Sequence, residues 1–354
     1  MGMAPARAPE PVSEAVLAIP LGTRELVRQS LDLLTRRDAG LRGASFYIGF
    51  ILLVTFGPLA VILGLAFTLP GIGGTPYPDV PPSGLEPSPD PGAWAAWLLL
   101  AAIPAILGYV AAGTEARSMA TAVIGGRVEG RPLRLRESIS VARRRFWSIL
   151  GAQVLIGIVA SILGVLVQGI LVFALASGQE LVFGVSLVVS VIIGAPFVYV
   201  PAGIILGEVD IIEAIRRSFR LVRLRKKLAV VVTLFGVLSQ FIVLFGLSQG
   251  LDVIARLLIG AGLVDSFPRP LVVPIAAAVV FALGTLLFLV EAIAAAPAVH
   301  AFAALTHYTH GLQAGRDHPV KGRALWSPWV TPGLALAGAT ALLALAGAVV
   351  SFPP

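Results

Sequence analysis

Long uncharged apolar stretches recur along the chain, separated by shorter polar segments. A transmembrane helix needs about 20 apolar residues to cross about 30 Å of hydrocarbon. Seven windows of this kind lie at residues 44–69, 93–112, 146–176, 181–205, 228–247, 271–296 and 329–351. None contains Lys or Arg, which are costly to bury at the centre of a membrane helix. The pattern therefore predicts an all-α, polytopic transmembrane helix bundle of about seven spans.

The basic residues alternate strictly between the two sides of these spans. The N-terminal segment and the second, fourth and sixth connections hold six, eight, seven and three Lys or Arg, whereas the first, third and fifth hold none, none and two. Because short cytoplasmic loops are enriched in Lys and Arg, this alternation predicts a cytoplasmic N-terminus and an external C-terminus. We expect the chain in a bacterial plasma membrane.

A basic amphipathic segment precedes the first, third and fifth spans. The first covers residues 23–37, with its apolar side chains within one arc of a helical projection. The second carries an apolar stripe at helical spacing, formed by Leu135, Ile139, Ala142 and Phe146. The stripe of the third consists of Ile211, Ile215, Ser218, Phe219 and Val222. The pattern predicts three cytoplasmic interfacial helices, each followed by a two-span hairpin.

Such helices are expected to lie in the headgroup layer, with their apolar faces in the membrane and their basic side chains on anionic lipid. The predicted headgroup contacts are Arg24, Arg28, Arg36, Arg136, Arg143, Arg144, Arg216, Arg217, Arg220 and Arg223. A protein partner that docks on the same faces is the alternative, because amphipathicity alone does not distinguish lipid from a protein groove.

Composition supports one membrane domain, since 57% of the residues are hydrophobic and only 13% are charged. We divide the chain into a disordered cytoplasmic tail (1–20), a membrane domain of three repeated units (21–312) and a cytoplasmic loop with one further span (313–354). The absence of cysteine excludes thiol chemistry. The net charge of +7 is dispersed beside apolar spans, which favours anionic lipid over nucleic acid as a partner. No cofactor is expected.

One basic segment carries a family resemblance. The stretch 201–223 reads PAGIILGEVDIIEAIRRSFRLVR, and the earlier junction reads RESISVARRRFWSILG. Both resemble the bacterial glycerophosphoryl diester phosphodiesterase membrane-domain family and related multi-pass proteins, over roughly residues 20–312. The matching positions are Pro201, Glu208, Ala214, Ile215, Arg217, Ser218, Phe219 and Leu221.

The resemblance implies a membrane fold and location without implying phosphodiesterase activity. Active members carry a separate soluble catalytic domain that has no counterpart in this sequence. Two further departures are Lys226 and Lys227, which replace an expected aromatic pair, and the additional seventh span.

Glu291 is the only ionisable residue other than His or Tyr within the predicted spans. An intramembrane carboxyl group is a functional candidate by default, here for a proton or cation in a transport cycle. Its position near the cytoplasmic end of the window leaves a second interpretation, in which it reaches the interface or pairs with a neighbouring basic loop.

Several other polar and helix-breaking residues fall within or beside the spans. His300, His307 and His310 are candidate metal ligands by their clustering, but the ligand spacing for tetrahedral zinc is incomplete, which favours interfacial histidines over a metal site. The glutamines Gln153, Gln168 and Gln240 are expected to bond neighbouring helices. Kinks are expected at Pro58, Pro104, Pro196 and Pro201, and broken helices can mark transporter sites.

No phosphate-binding loop, nucleophile elbow or metalloprotease motif occurs in the sequence, so catalysis has no positive support. The leading hypothesis is a non-enzymatic membrane scaffold that engages anionic lipid or a protein partner. The alternative is a transporter or lipid-handling permease that uses Glu291.

Overall fold

The computed structural model describes residues 22–35, 39–68, 91–175, 179–260, 269–310 and 329–351, which form helices and short connections without strands. In chain order the helices are α1 Thr23–Thr35, α2 Ala39–Thr68, α3 Pro91–Val128, α4 Leu135–Leu175, α5 Gln179–Gly194, α6 Val200–Ile205, α7 Ile211–Leu224, α8 Lys226–Gly260, α9 Arg269–His310 and α10 Pro332–Ser351. The predicted tail 1–20 and the loop 313–328 lie outside the described residues.

Five stretches of the described chain are long and apolar enough to cross a membrane. They are Ala39–Ile62, Leu135–Val167, Leu187–Ile205, Lys226–Val243 and Val273–Thr306, and Pro332–Gly347 is a shorter apolar helix. Each corresponds to a predicted span, and the remaining window falls in α3, whose side chains are described only from Ala101 onward. The helices indicate an integral membrane protein.

Large apolar side chains cover the outside of the bundle. On α4, Val154, Ile158, Ile162 and Leu166 follow one another at every fourth residue, and each is at least half exposed. Water-soluble monomers rarely expose a contiguous apolar strip of this kind. The strip is the surface expected of a helix that faces lipid chains.

Helix α3 extends well beyond the predicted end of the second span at residue 112 and ends at Val128. Residues 113–128 were predicted to begin a cytoplasmic connection, yet Ala116, Met119, Ala120 and Val123 are buried in the bundle core. The predicted span ends too early because the charged residues Glu115 and Arg117 lower the mean hydropathy of this stretch. Small side chains around them allow neighbouring helices to pack closely and enclose these charges.

Helix α1 is docked on the protein through part of its apolar face. Leu26 and Leu33 are buried in a core cluster that also contains Val299 of α9. Ser30 Oγ is hydrogen-bonded to His300 Nδ1 at 3.2 Å, and the Arg127 guanidinium donates to the Leu33 carbonyl at the end of α1. Protein therefore occupies some of the surface that was expected to enter the headgroup layer. We call this end of the bundle the α1 end.

Helix α7 packs against a break in the membrane helix before it. Helix α5 ends at Gly194, a short 3₁₀ turn covers Ala195–Phe197, and α6 begins at Val200. Ser218 Oγ donates to the Pro196 carbonyl at 2.7 Å and accepts the Tyr199 N–H at 3.3 Å. Kinks were predicted at Pro196 and Pro201, whereas the structure has a full break at Pro196 and places Pro201 in the first turn of α6. Helix α7 satisfies backbone groups that the break frees.

The buried face of α7 is rotated from the predicted stripe. Ala214, Ser218 and Leu221 are buried, whereas Phe219 is 38% exposed. The reason is that the small side chains of Ala214 and Ser218 lie where α7 meets the broken helix. Phe219 is therefore displaced to the edge, where its ring makes an edge-to-face contact with Phe197.

Candidate functional site

The intramembrane candidate Glu291 forms an ion pair inside the bundle. Arg117 Nε lies 2.9 Å from Glu291 Oε2, and Arg117 Nη2 lies 3.0 Å from Glu291 Oε1. This is the bidentate geometry in which charge-assisted hydrogen bonds are strongest. Glu291 therefore pairs with a basic residue of the second predicted connection, but it does so between α3 and α9 rather than in a loop.

The two side chains of the ion pair differ in exposure. The Glu291 side chain is 10% exposed, whereas the Arg117 side chain is 33% exposed. Guanidinium carries five N–H bonds, and the two hydrogen bonds to Glu291 leave the Nη1 amino group available. The accessible part of the pair is consequently its cation.

Two cavities meet at this pair. The larger encloses about 830 Å³ and the smaller about 400 Å³, within the size range of small-molecule sites. Both are lined mostly by apolar side chains. The polar residues that line both are Arg117, Gln153, Gln240 and Glu291, which we call the polar layer.

The cavities are stacked along the bundle axis. On α9 the larger cavity is lined within residues 280–291 and the smaller within residues 291–299, nearer the α1 end. Helix α3 runs in the same direction and shows the same division, with 109–117 and 117–121. Helix α8 runs in the opposite direction, and Gln240 is its residue that lines both cavities. The polar layer therefore lies where the two cavities adjoin, and we call these cavities the larger and the smaller compartment.

The broken helix lines the smaller compartment. Gly194, Phe197, Val200 and Pro201 all contribute to its wall. Irregular backbone at membrane depth is tolerated where it is covered by protein or borders a cavity. The break at Pro196 thus lies beside the polar layer.

Helix α4 is linked to the polar layer by a hydrogen bond. The Thr114 hydroxyl donates a hydrogen bond that is shared between Gln153 Oε1 and the Val110 carbonyl of its own helix, each at 2.8 Å. This confirms the expected interhelical role of one glutamine, Gln153. Since the amide oxygen faces Thr114, the amide nitrogen of Gln153 is left to donate elsewhere. The Gln168 side chain lies outside the described residues.

A second buried carboxyl group, Glu115, was missed in the sequence. It is fully buried and lies beside the Thr331 hydroxyl and the Gly333 backbone N–H, at the first turn of α10. Neither carboxyl oxygen makes a hydrogen bond of standard geometry within the described residues. Glu115 lines neither compartment. The run of small residues from Ala111 to Gly126 was the available signal that this stretch packs inside the bundle.

The predicted histidine group is only partly described. His300 is buried and bonded to Ser30, while the side chains of His307 and His310 lie outside the described part. Among the described residues, no three His, Asp or Glu side chains are grouped so that they could hold a metal ion.

The predicted headgroup arginines lie on several helices and differ in exposure. Exposed side chains are those of Arg24, Arg28, Arg136, Arg144, Arg216, Arg220 and Arg223, those of Arg143 and Arg217 are half-buried, and Arg36 lies outside the described residues. Some have protein partners, such as Arg28 with Glu25 at 2.9 Å and Arg217 with Glu213 at 3.1 Å. The Arg136 guanidinium lies over the Trp329 ring. Contact with lipid stays a prediction for this set.

Comparison with known proteins adds no relative: no family model, curated protein or solved structure matches the chain. The resemblance of residues 201–223 to the glycerophosphoryl diester phosphodiesterase membrane domains stays a prediction.

Proposed function

We propose that this protein is a permease that handles lipid or another amphiphile, and that the Arg117–Glu291 pair closes the path between its two compartments. The observation that carries the proposal is the polar layer, where a bidentate ion pair lies between two apolar cavities inside a membrane bundle. Transporter sites commonly combine a midplane cavity with a discontinuous helix. The break at Ala195–Phe197 supplies that second feature.

This reverses the order of the two functions expected from the sequence. A scaffold that acts through surface arginines has no need of internal space, because its contacts lie outside the bundle. Burying a charged pair has a desolvation cost that geometry only partly repays. A ligand path accounts for the position of the Arg117–Glu291 pair beside open space, and scaffolding alone does not.

The remaining sequence predictions complete the proposal. The α1 end is placed in the cytoplasm of a bacterial cell, with seven spans and the C-terminus outside. The exposed arginines of α1 and α7 then meet anionic headgroups, each contributing about 1 kcal/mol near the surface. In this arrangement the smaller compartment faces the cytoplasm.

Movement of a ligand requires the pair to part. While Arg117 and Glu291 are joined, the polar layer separates the compartments, and a ligand that competes for either partner weakens the closure. Since interior charges interact strongly at short range, opening without a competing group is unfavourable. The pair thus acts as a gate that the ligand itself helps to open.

The proposal is tested by lipid flux in proteoliposomes that contain headgroup-labelled fluorescent phosphatidylglycerol. External dithionite bleaches the outer leaflet at once and the inner leaflet only as lipid crosses. Wild type is expected to accelerate the slow phase over protein-free vesicles, and Glu291→Gln, which removes the closing ion pair, is expected to exceed the wild-type acceleration. Glu115→Gln, the same change at the other buried carboxyl group, is the matched control and should retain it.

Two outcomes contradict the proposal. Wild-type vesicles that bleach no faster than protein-free ones would favour the scaffold, provided that flotation shows the protein to be inserted. Equal acceleration by wild type and Glu291→Gln would remove the ion pair from the path.

A further inference from the structure

We infer that the larger compartment binds an amphiphile with an anionic head group, held by the free edge of the Arg117 guanidinium with its hydrocarbon chain between α2 and α9. The inference rests on the proposed function and names the chemical class of its ligand. Carboxylate, phosphate and sulfate heads share the required chemistry, because each presents oxygen acceptors and negative charge to a guanidinium.

The preference for an anionic head group follows from the unequal exposure of Arg117 and Glu291. Arg117 engages both Glu291 oxygens through Nε and Nη2, so the carboxylate has its strongest acceptor directions occupied. The guanidinium retains the Nη1 amino group and is the more exposed partner. A ligand that arrives from the cavity therefore meets hydrogen-bond donors and positive charge first.

A second donor lines the same compartment. The Gln153 amide oxygen shares the Thr114 hydroxyl proton with the Val110 carbonyl, which leaves the Gln153 amide N–H bonds for another acceptor. Gln153 and Arg117 line the same compartment. Two donors in one compartment suit a head group with two oxygens better than a single hydroxyl.

A cationic head group is disfavoured by the same wall. Recognition of a quaternary ammonium group relies on aromatic faces or an available carboxylate. Among the described residues, the aromatic side chains that line the larger compartment are Phe56 and Tyr109, and its carboxylate is Glu291. Since Glu291 is already paired with Arg117, a cation would have to displace a bidentate partner.

The rest of the compartment suits a hydrocarbon chain. Away from the polar layer, apolar side chains form the wall on both helices, with Leu52, Phe56 and Leu59 on α2 and Val280, Leu283 and Leu287 on α9. Burial of each methylene group contributes about 0.8 kcal/mol. The chain therefore supplies affinity, and Arg117 supplies the head-group preference.

The experiment uses three photoreactive probes that share one diazirine-bearing hydrocarbon chain and end in a carboxylate, a hydroxyl or a trimethylammonium group. Full-length protein in lipid nanodiscs is irradiated with each probe, and labelled peptides are identified by mass spectrometry. We expect the carboxylate probe to label the wall of the larger compartment about tenfold more than either other probe.

The decisive variant is the double substitution Arg117→Gln and Glu291→Gln. It removes both charges together, so no uncompensated buried charge is left to unfold the bundle. The head-group preference should disappear while labelling of the apolar wall continues. Glu115→Gln should keep the wild-type preference.

The outcomes separate the inference from the function on which it rests. Equal labelling of the wall by all three probes, or stronger labelling by the ammonium probe, overturns the anionic class and leaves the permease proposal standing. Failure of all three probes to label the wall, in a sample whose lipid-facing α4 surface is labelled, overturns both.

Discussion

Glu291 and Glu115 are buried carboxyl groups in one bundle, and their surroundings give them different roles. Glu291 faces a guanidinium where two cavities meet, whereas Glu115 is packed against the first turn of α10 and borders neither compartment. The N-terminus of a helix carries partial positive charge and can stabilise an anion without a basic side chain. Burial alone therefore does not distinguish the two carboxyl groups, whereas adjoining space and a partly exposed partner do, and the proposed function rests on that difference.

The largest effect is expected from separating the charges at the polar layer. Arg117→Gln leaves Glu291 buried without its cation, and we expect a loss of about 3 kcal/mol, the lower end for a broken buried pair because Arg117 is partly exposed. Reversible unfolding in mild detergent, followed by tryptophan fluorescence, measures the loss. The double variant with Glu291→Gln should recover most of it. A single variant as stable as the wild type would show that the pair is not enclosed.

The second-largest effect is expected at Gly333, which packs against Glu115. A Cβ atom added at Gly333 would overlap the Glu115 carboxyl group, so Gly333→Ala should cost about 1–3 kcal/mol through forced repacking. Gly338→Ala on the same helix is the control, since no described residue outside that helix comes within 4 Å of its added Cβ. Unfolding midpoints of the two variants should differ. Equal midpoints would place Glu115 away from α10.

Neutralising Glu115 should have a moderate effect on stability. Glu115→Gln keeps the size of the side chain and removes its interaction with the N-terminus of α10, which predicts a loss of about 0.3–1 kcal/mol. The same unfolding measurement detects this loss. A destabilisation as large as that of Arg117→Gln would mean that Glu115 has an ionic role like that of Glu291.

The smallest effect concerns the donor beside the polar layer. Thr114→Val removes the hydroxyl that bonds Gln153, and an interhelical hydrogen bond in a membrane contributes about 0.6 kcal/mol. Thr285→Val is the matched control, because the Thr285 hydroxyl donates to carbonyls of its own helix, Phe281 and Ala282. Identical unfolding of the two variants would argue against the link between α3 and α4.

The helical class and the apolar spans could be predicted from the sequence because lipid imposes a long, uncharged pattern on each crossing segment. A kink near Pro196 was also predictable, since proline lacks the N–H that a continuous helix needs. The same criterion predicts a connection at residues 113–128, because this stretch contains charged residues. A hydropathy average counts Glu115 and Arg117 as polar and cannot register a partner 174 positions away.

Sites of close helix packing are also hard to predict from local sequence. A four-residue glycine spacing such as that of Gly246 and Gly250 favours close helix contact, but among the described residues nothing lies within 4 Å of a Cβ added at Gly246. The tight approach is at Gly284 of α9, where an added Cβ would come within 2.7 Å of the Gly49 Cα on α2. These glycines belong to distant segments, so their proximity depends on how the helices cross and has no local spacing to reveal it.

The most direct test of the account is a pair of cryo-EM maps of the protein in lipid nanodiscs, recorded with and without a saturating single-chain fatty acid. Without it, Arg117 should contact Glu291 between two unfilled cavities. With it, density for the head group should adjoin the Arg117 guanidinium and continue as a chain between α2 and α9. A bundle packed solid around residues 117 and 291, with these side chains apart in both maps, would contradict the account.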